Sequence, residues 1–117
     1  MDERMAELVL RAAELIPPGS VASYGDLAEL VGTSPRHVGR IMAVHGSGVA
    51  WWRVTNHSGD FPPHLREEAA VHWAEEGITW KPNRLGCRIS VYRTDLTELA
   101  DAFETLPPLP ESPEDPR

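Results

Sequence analysis

The chain has 117 residues, enough for one domain with a single modest core, and its 41% hydrophobic and 25% charged content is that of an ordinary globular protein. A net charge of −7 argues against a protein coated in positive charge, and a lone cysteine, Cys87, excludes an internal disulfide. No apolar run is long enough to cross a bilayer, the opening MDERMAELVL is too charged for a signal peptide, and there is no zinc-spaced Cys/His cluster or Gly-rich phosphate loop, so a cytoplasmic setting without metal or cofactor is expected.

Residues 3–16 place Met5, Leu8, Val9, Ala12, Leu15 and Ile16 at helical spacing, and Pro17, Pro18 and Gly19 end that helix. Residues 20–23, SVAS, form a strand stub or a turn. Ser23 opens a second helix: its hydroxyl can cap the start, and Asp26 three residues on completes a capping-box pair. Leu27, Leu30 and Val31 supply its apolar face and Gly32 stops it. A third helix follows in SPRHVGRIMAV, with Ser34 as cap and Pro35 at the favoured first position. Val38, Ile41 and Met42 face inward there, and Arg36, His37 and Arg40 face the other way. Two short helices joined by a Gly-containing turn make a helix-turn-helix pattern, whose second helix presents Arg36 near its start, where DNA-reading helices place contacts.

The stretch VAWWRVTN-HSG-DF reads as two short strands around a turn, a candidate wing. Strand alternation would send Trp51 and Trp52 to opposite faces. Residues 64–76 form a helix closed by Gly77. Residues 81–106 are an extension of no readable role, expected to pack on the domain, with a last helix in DLTELADAFETL. Residues 107–117 are Pro-rich and acidic, and disorder is expected there. The fold class expected is mainly α with a small β-wing, a winged helix-turn-helix DNA-binding domain over residues 1–80.

Charge is unevenly spread. Residues 101–117 carry Asp101, Glu104, Glu111, Glu114 and Asp115 against Arg117, a net −4. Residues 33–66 carry Arg36, Arg40, Arg53 and Arg66 against Asp60, a net +3, with four histidines besides. Electrostatic footprints are local, so this basic island keeps nucleic acid open as a partner despite the overall sign.

The segments IPPGSVASYGDLAELVG, SPRHVGRIM, AWWRV and AEEGI, in that order across roughly residues 3–80, resemble the DNA-binding domain of the O6-alkylguanine-DNA alkyltransferases. That family has a Pro-Cys-His-Arg-Val core whose cysteine accepts the alkyl group. The corresponding positions here are Ala50, Trp51, Trp52, Arg53 and Val54. Tryptophan at the nucleophile position is the mark of the alkyltransferase-like proteins. The resemblance implies a non-enzymatic sensor that docks in the minor groove of double-stranded DNA and flips an O6-alkylguanine into a pocket. It further implies that the complex flags the lesion for nucleotide-excision repair through a UvrA-type protein, with a monomer as the working unit. Indole offers no thiolate, so alkyl transfer is not expected. The family's His position is Trp52, and counting back from EEG puts its Glu position at Ala70, so the whole activating relay is expected to be missing.

The resemblance also assigns site residues. Trp51, Val54 and Tyr24 belong to the lesion pocket, with Trp51 as core the competing reading and Trp52 read as core. Tyr24 stands beside the flipped nucleotide and its 3′ phosphate. Arg36 takes the place of the arginine finger that fills the gap in the stack, with Arg40, one turn on, as competitor or phosphate contact. Ser34 and the free amides of its helix can bind a phosphate or serve only as a cap, and His37 shares that face. Arg53 is a DNA contact or a structural group bonded to backbone carbonyls. The chain departs from the pattern at Ala50, where the family has proline, and in SGDFPP, which is shorter than the usual Gly-rich segment. Two rival readings stay open: a winged-helix regulator that reads a fixed operator as a dimer, and a true alkyltransferase using Cys87, whose plain alternative is a structural thiol.

Overall fold

The structure, a computed structural model, describes residues 3–109. Val9, Ala12, Ala13 and Ile16 are fully buried and set the first helix, α1 (Glu3–Glu14), against the pair α2 (Tyr24–Val31) and α3 (Pro35–His45). α1 stops two residues before the apolar pattern does. Leu15 and Ile16 continue it with i→i−3 bonds, because Pro17 disfavours α-helical backbone at the residue before it. The caps form as the sequence directs. Ser23 Oγ accepts from the Asp26 N–H at 3.0 Å and Asp26 Oδ2 accepts from the Ser23 N–H at 2.9 Å. Gly32 closes α2 in the left-handed region at φ +87°, and Ser34 Oγ accepts from the His37 N–H at 3.1 Å to open α3. Leu27 and Ala28 of α2 meet Val38, Ile41 and Met42 of α3 in the core.

The β structure differs from a local hairpin over residues 49–61. SVAS contains a strand, β1 (Ala22–Ser23), which pairs in parallel with β2 (Val54–Thr55), Ala22 opposite Val54 and Ser23 opposite Thr55. Trp51–Arg53 is a 3₁₀ turn, not a strand. Strand alternation would separate the side chains of Trp52 and Arg53, whereas both reach the same carboxylate, and the tight turn lets them. After β2 the chain turns at Asn56, whose side-chain carbonyl accepts from the N–H groups of Ser58 and Asp60, both at 2.9 Å. Residues 59–61 then run antiparallel to 85–87, with Asp60 opposite Gly86, and Trp80 pairs antiparallel with Cys87. The wing-like β element is therefore built with the C-terminal extension rather than within 49–61, while the class, mainly helical with a small β element, is the one expected.

α4 (Pro63–Glu76) ends at Gly77, φ +79°, and anchors a second cluster: fully buried Trp73 with Phe61, Ala69, Ile78, Cys87 and Val21. The extension joins both clusters. Val21 donates to Tyr92 O at 2.9 Å and accepts from the Thr94 N–H at 2.8 Å, which lays residues 92–94, just after the short helix α5 (Ile89–Tyr92), beside the strand entry. α6 (Leu96–Glu104) is capped by Asp95 and buries Leu99 in the first cluster with Ala6 and Val9 of α1. The extension thus gives the core apolar area worth roughly 2 kcal/mol for the Leu99 side chain alone. Of the Pro-rich tail, residues 110–117 lie outside the described residues. No described helix is long and apolar enough to cross a membrane.

Glu76, in the last turn of α4, ties these pieces together. Its carboxylate accepts from Arg53 Nη2 at 2.6 Å and Nε at 3.1–3.2 Å, from Trp52 Nε1 at 2.8 Å and from the Gly19 N–H at 2.9 Å. Arg53 Nη1 in turn donates to Ile16 O at 3.1 Å. Burial works against ionisation of Glu76, but the Arg53 hydrogen bonds, the Gly19 amide, the Trp52 indole and the Arg53 charge outweigh it and hold the carboxyl below its ordinary range. A carboxyl depressed on folding contributes stability that is complete above its unfolded pKa, about 4.3, and is lost as pH falls through the folded value. Glu76→Gln is expected to lower the unfolding free energy by about 1–3 kcal/mol at neutral pH, and the gap to wild type should narrow as pH falls below the ordinary carboxylate range; urea titrations from neutral to acid pH measure it. Burial pushes the Cys87 thiol up to about 11. A disulfide reagent near neutral pH should leave Cys87 unmodified in the folded protein and label it fully once urea unfolds the chain.

Candidate nucleic-acid interface

A cavity of about 740 Å³ opens between α3, the 3₁₀ turn and the start of α4, walled chiefly by Tyr24, Met42, Trp51, Val54, Phe61 and Arg66. The three residues assigned to a pocket from sequence, Tyr24, Trp51 and Val54, all line it. Val54 is buried as part of β2; Tyr24, the first residue of α2, lies with its ring over Gly39 of α3. Burial raises the Tyr24 phenol above its ordinary pKa, so it is a neutral hydrogen-bond donor at physiological pH.

The two tryptophans part company. Trp51 is half-buried and held by three edge-on contacts: Trp52 at 5.9 Å and 82°, Phe61 at 5.8 Å and 75°, and His72 at 6.3 Å and 78°. It packs against both core clusters while lining the cavity, so core and pocket are not exclusive for it. Trp52 does not line the cavity. It stacks flat on His72, with centroids 3.5 Å apart and planes 4° apart, and it has Arg53 5.6 Å from its ring centroid. Its carbonyl accepts from Trp73 Nε1 at 2.7 Å. Trp52 is a half-buried brace against the second cluster, fixing the turn that presents Trp51.

No carboxylate stands at position 70, where the resemblance places the family's Glu and the chain has Ala70. The carboxylate beside Trp52 is that of Glu76, the residue immediately before Gly77, which accepts from the Trp52 indole. Arg53, entered above among the DNA contacts, spends its guanidinium on Glu76 and the Ile16 carbonyl with its side chain 15% exposed, so the structural alternative is the one realised.

The remaining assigned residues sit on α3. Ser34 and Arg36 are exposed at its start, Arg40 is exposed one turn on, and His37 is half-buried with Nδ1 2.8 Å from Thr33 Oγ1. None of these four lines the cavity, but Gly39, Met42 and Ala43 of the same helix do, so α3 links an exposed basic end to the cavity wall. Among the described residues no carboxylate lies within ion-pairing distance of Arg36 or Arg40. Sequence reading missed Phe61 and Arg66, which wall the cavity with Arg66 Nε donating to Phe61 O at 2.8 Å, and it missed His72 and Glu76. The last two had a signal: they stand four apart on one helix, on the face that meets the tryptophans.

Residues 4–78 match the family described as 6-O-methylguanine DNA methyltransferase, DNA binding domain. Among solved structures, Schizosaccharomyces pombe Atl1 in complex with damaged DNA containing O6-carboxymethylguanine is 28% identical, with 81% of this chain and 97% of that chain covered and a TM-score of 0.69. The S. pombe ATL protein in complex with DNA is 30% identical, with 85% and 94% covered and a TM-score of 0.58. No curated protein matches the chain. The family match spans more than half of the sequence and ends at Ile78, just past the helix that carries Glu76; the chain belongs to the family of the 6-O-methylguanine DNA methyltransferase DNA-binding domain.

Proposed function

We propose that this protein binds double-stranded DNA carrying O6-alkylguanine and retains the lesion without repairing it. One observation carries the reading: Trp51, which the resemblance aligns with the family's reactive cysteine, lines the cavity beside α3. The cavity falls within the range of about 300–1,000 Å³ typical of small-molecule sites, ample for a single extruded base with a substituent. Its Tyr24, Met42, Trp51, Val54 and Phe61 supply an apolar, aromatic lining. Aromatic contact with a base contributes roughly 1–3 kcal/mol, which offsets much of the few kcal/mol needed to unstack it. Cys87 offers no alternative nucleophile. It is fully buried in the second cluster, off the cavity, with its thiol held protonated.

In this reading α3 enters the minor groove. Arg36, exposed and without a carboxylate partner among the described residues, fills the space left by the flipped base. Tyr24 presses on the adjoining phosphate, and Arg40, His37 and the capped amides behind Ser34 hold the backbone. The relatives bound to DNA support a DNA partner of this kind. A lesion that is held but not dealkylated stays available as a mark, and nucleotide-excision repair, entered through a UvrA-type protein, is the process that such a mark would serve.

Gel-shift competition between O6-methylguanine duplex and matched undamaged duplex, with the protein's mass measured afterwards, tests this directly. The modified duplex should win in any sequence context and the mass should not change. Preference for one operator sequence would favour a regulator, and a gain of one methyl group would restore the enzyme reading. Trp51→Ala should reduce the preference for alkylated over normal guanine by about tenfold, the equivalent of losing one aromatic contact. Arg36→Ala should weaken modified and unmodified duplexes alike, by about five- to tenfold; unchanged binding there moves the finger role to Arg40.

A further inference from the structure

We infer that Lys81, with the hairpin it opens, clasps one wall of the cavity and so makes the C-terminal extension a determinant of lesion specificity. The inference rests on the reading of the cavity as a base-binding pocket. The wall is residues 56–61, of which Asn56, Asp60 and Phe61 line the cavity. Its own bonds are local: the Asn56 N–H donates to Asp60 O at 3.1 Å, the Gly59 N–H to Asn56 O at 3.0 Å, and the Asn56 side chain caps the turn. From α4 it receives Arg66 on Phe61 O, and Thr55 Oγ1 bonds Asn56 O at 2.9 Å. The other fastenings come from beyond the matched domain.

Lys81 Nζ sits 2.6 Å from Asp60 Oδ1 and donates to Ser58 O at 3.0 Å. The Phe61 N–H donates to Leu85 O at 3.1 Å and the Cys87 N–H to Gly59 O at 2.9 Å. The two backbones are in direct contact. A Cβ on Gly86 would fall 2.0 Å from Gly59 O, and one on Gly59 would fall 2.3 Å from Cys87 O, so both positions require glycine. The hairpin itself is closed by the Lys81 N–H on Gly86 O at 2.8 Å and the Arg84 N–H on Lys81 O at 2.9 Å, with Arg84 in the left-handed region at φ +63°.

Lys81 and Asp60 are little exposed, with side chains at 19% and 17%, and Lys81 is the cation beside an Asp60 oxygen that has no hydrogen-bond donor of good geometry. Without Lys81, the cavity wall would carry a bare carboxylate. Guanine presents acceptors, N7 and O6, along its major-groove edge, and an uncompensated carboxylate repels such an edge. Lys81 is therefore a positioning residue that acts through Asp60 and Ser58. It holds the wall in place and neutralises it.

Lys81→Met keeps the apolar stem and removes the charge; Lys81→Arg keeps the charge. Two measurements on each full-length variant decide the matter: amide hydrogen exchange at Phe61 and Cys87, with Gly32 at the end of α2 as internal control, and affinity for O6-methylguanine duplex against the matched undamaged duplex. For Lys81→Met, exchange at Phe61 and Cys87 should rise about tenfold with Gly32 unchanged, and the lesion preference should fall about tenfold at constant affinity for undamaged DNA, as for loss of a charge-assisted hydrogen bond. Lys81→Arg should restore both. Unchanged exchange in Lys81→Met overturns the clasp whatever the DNA results. Exchange that rises while the preference stays, or affinity that falls equally for both duplexes, reduces Lys81 to a structural role and overturns the specificity claim. A wild type with no lesion preference fails the sensor reading and removes the specificity claim with it, while the exchange measurement still decides the clasp separately.

Discussion

The Glu76 carboxylate is the constraint on which the rest of this structure turns. A half-buried anion near a core is costly unless its lone pairs are filled. Here they are filled by three residues from two segments: Gly19 in the turn after α1, and Trp52 and Arg53 in the 3₁₀ turn. Each of those donors belongs to a segment with no regular structure of its own. The carboxylate, with the Arg53 N–H on Ala50 O and the Trp73 indole on Trp52 O, holds residues 51–53 as a tight turn rather than the strand their β-favouring side chains suggest. That turn is what lets Trp51 project to one side while Trp52 and Arg53 reach back to the other.

The cavity follows from this arrangement. Two core clusters meet along the 3₁₀ turn and β2, one built by α1, α2, α3 and Leu99, the other by α4, Phe61 and the extension. Trp51 packs against both. A large flat ring at the seam of two clusters cannot be satisfied by one of them alone, and the residual space beside it is the cavity. Edge-on packing against Trp52, Phe61 and His72 fixes the ring's orientation. A rigid aromatic wall contributes more to recognition than a mobile one, because ordering it on binding costs little.

How much of this the sequence declares depends on how local each feature is. The helices were legible because caps and stops are local chemistry: Ser23 with Asp26, Gly32, Ser34 with Pro35, and Gly77 all do in the fold what their spacing implies. The pocket residues Tyr24, Trp51 and Val54 came from the ordered motifs of a family, not from periodicity. The pairing of Ala22–Ser23 with Val54–Thr55 was not legible, since a parallel contact across some thirty residues leaves no turn signal between its strands. The wing was misplaced for a related reason. Residues 59–61 find their partner in 85–87, beyond the matched domain, and only the mutual need of Gly59 and Gly86 for bare backbone hints at it. Arg53 was ambiguous because an arginine's role depends on whether a carboxylate waits for it, and Glu76 lies more than twenty residues away.

Locating that carboxylate also sharpens what the paired tryptophans do on the proposed reading. Alkyl transfer to a thiol needs a base to take the thiol's proton, and a base needs a lone pair free to accept it. The acid that would orient such a base is still here. What it holds is the Trp52 indole, which donates at 2.8 Å and has no lone pair to offer. Loss of the nucleophile at Trp51 and loss of the base at Trp52 are therefore separate defects of different kinds. The first leaves no acceptor for the alkyl group; the second leaves no imidazole at position 52 to take the proton of a replacement thiol. Trp52 meanwhile keeps Glu76 bonded and His72 stacked while Arg53 anchors the same carboxylate, and this scaffold holds the Trp51 ring still. On the proposed reading the carboxylate thus serves recognition alone, because its indole partner donates a hydrogen bond and cannot take a proton in return.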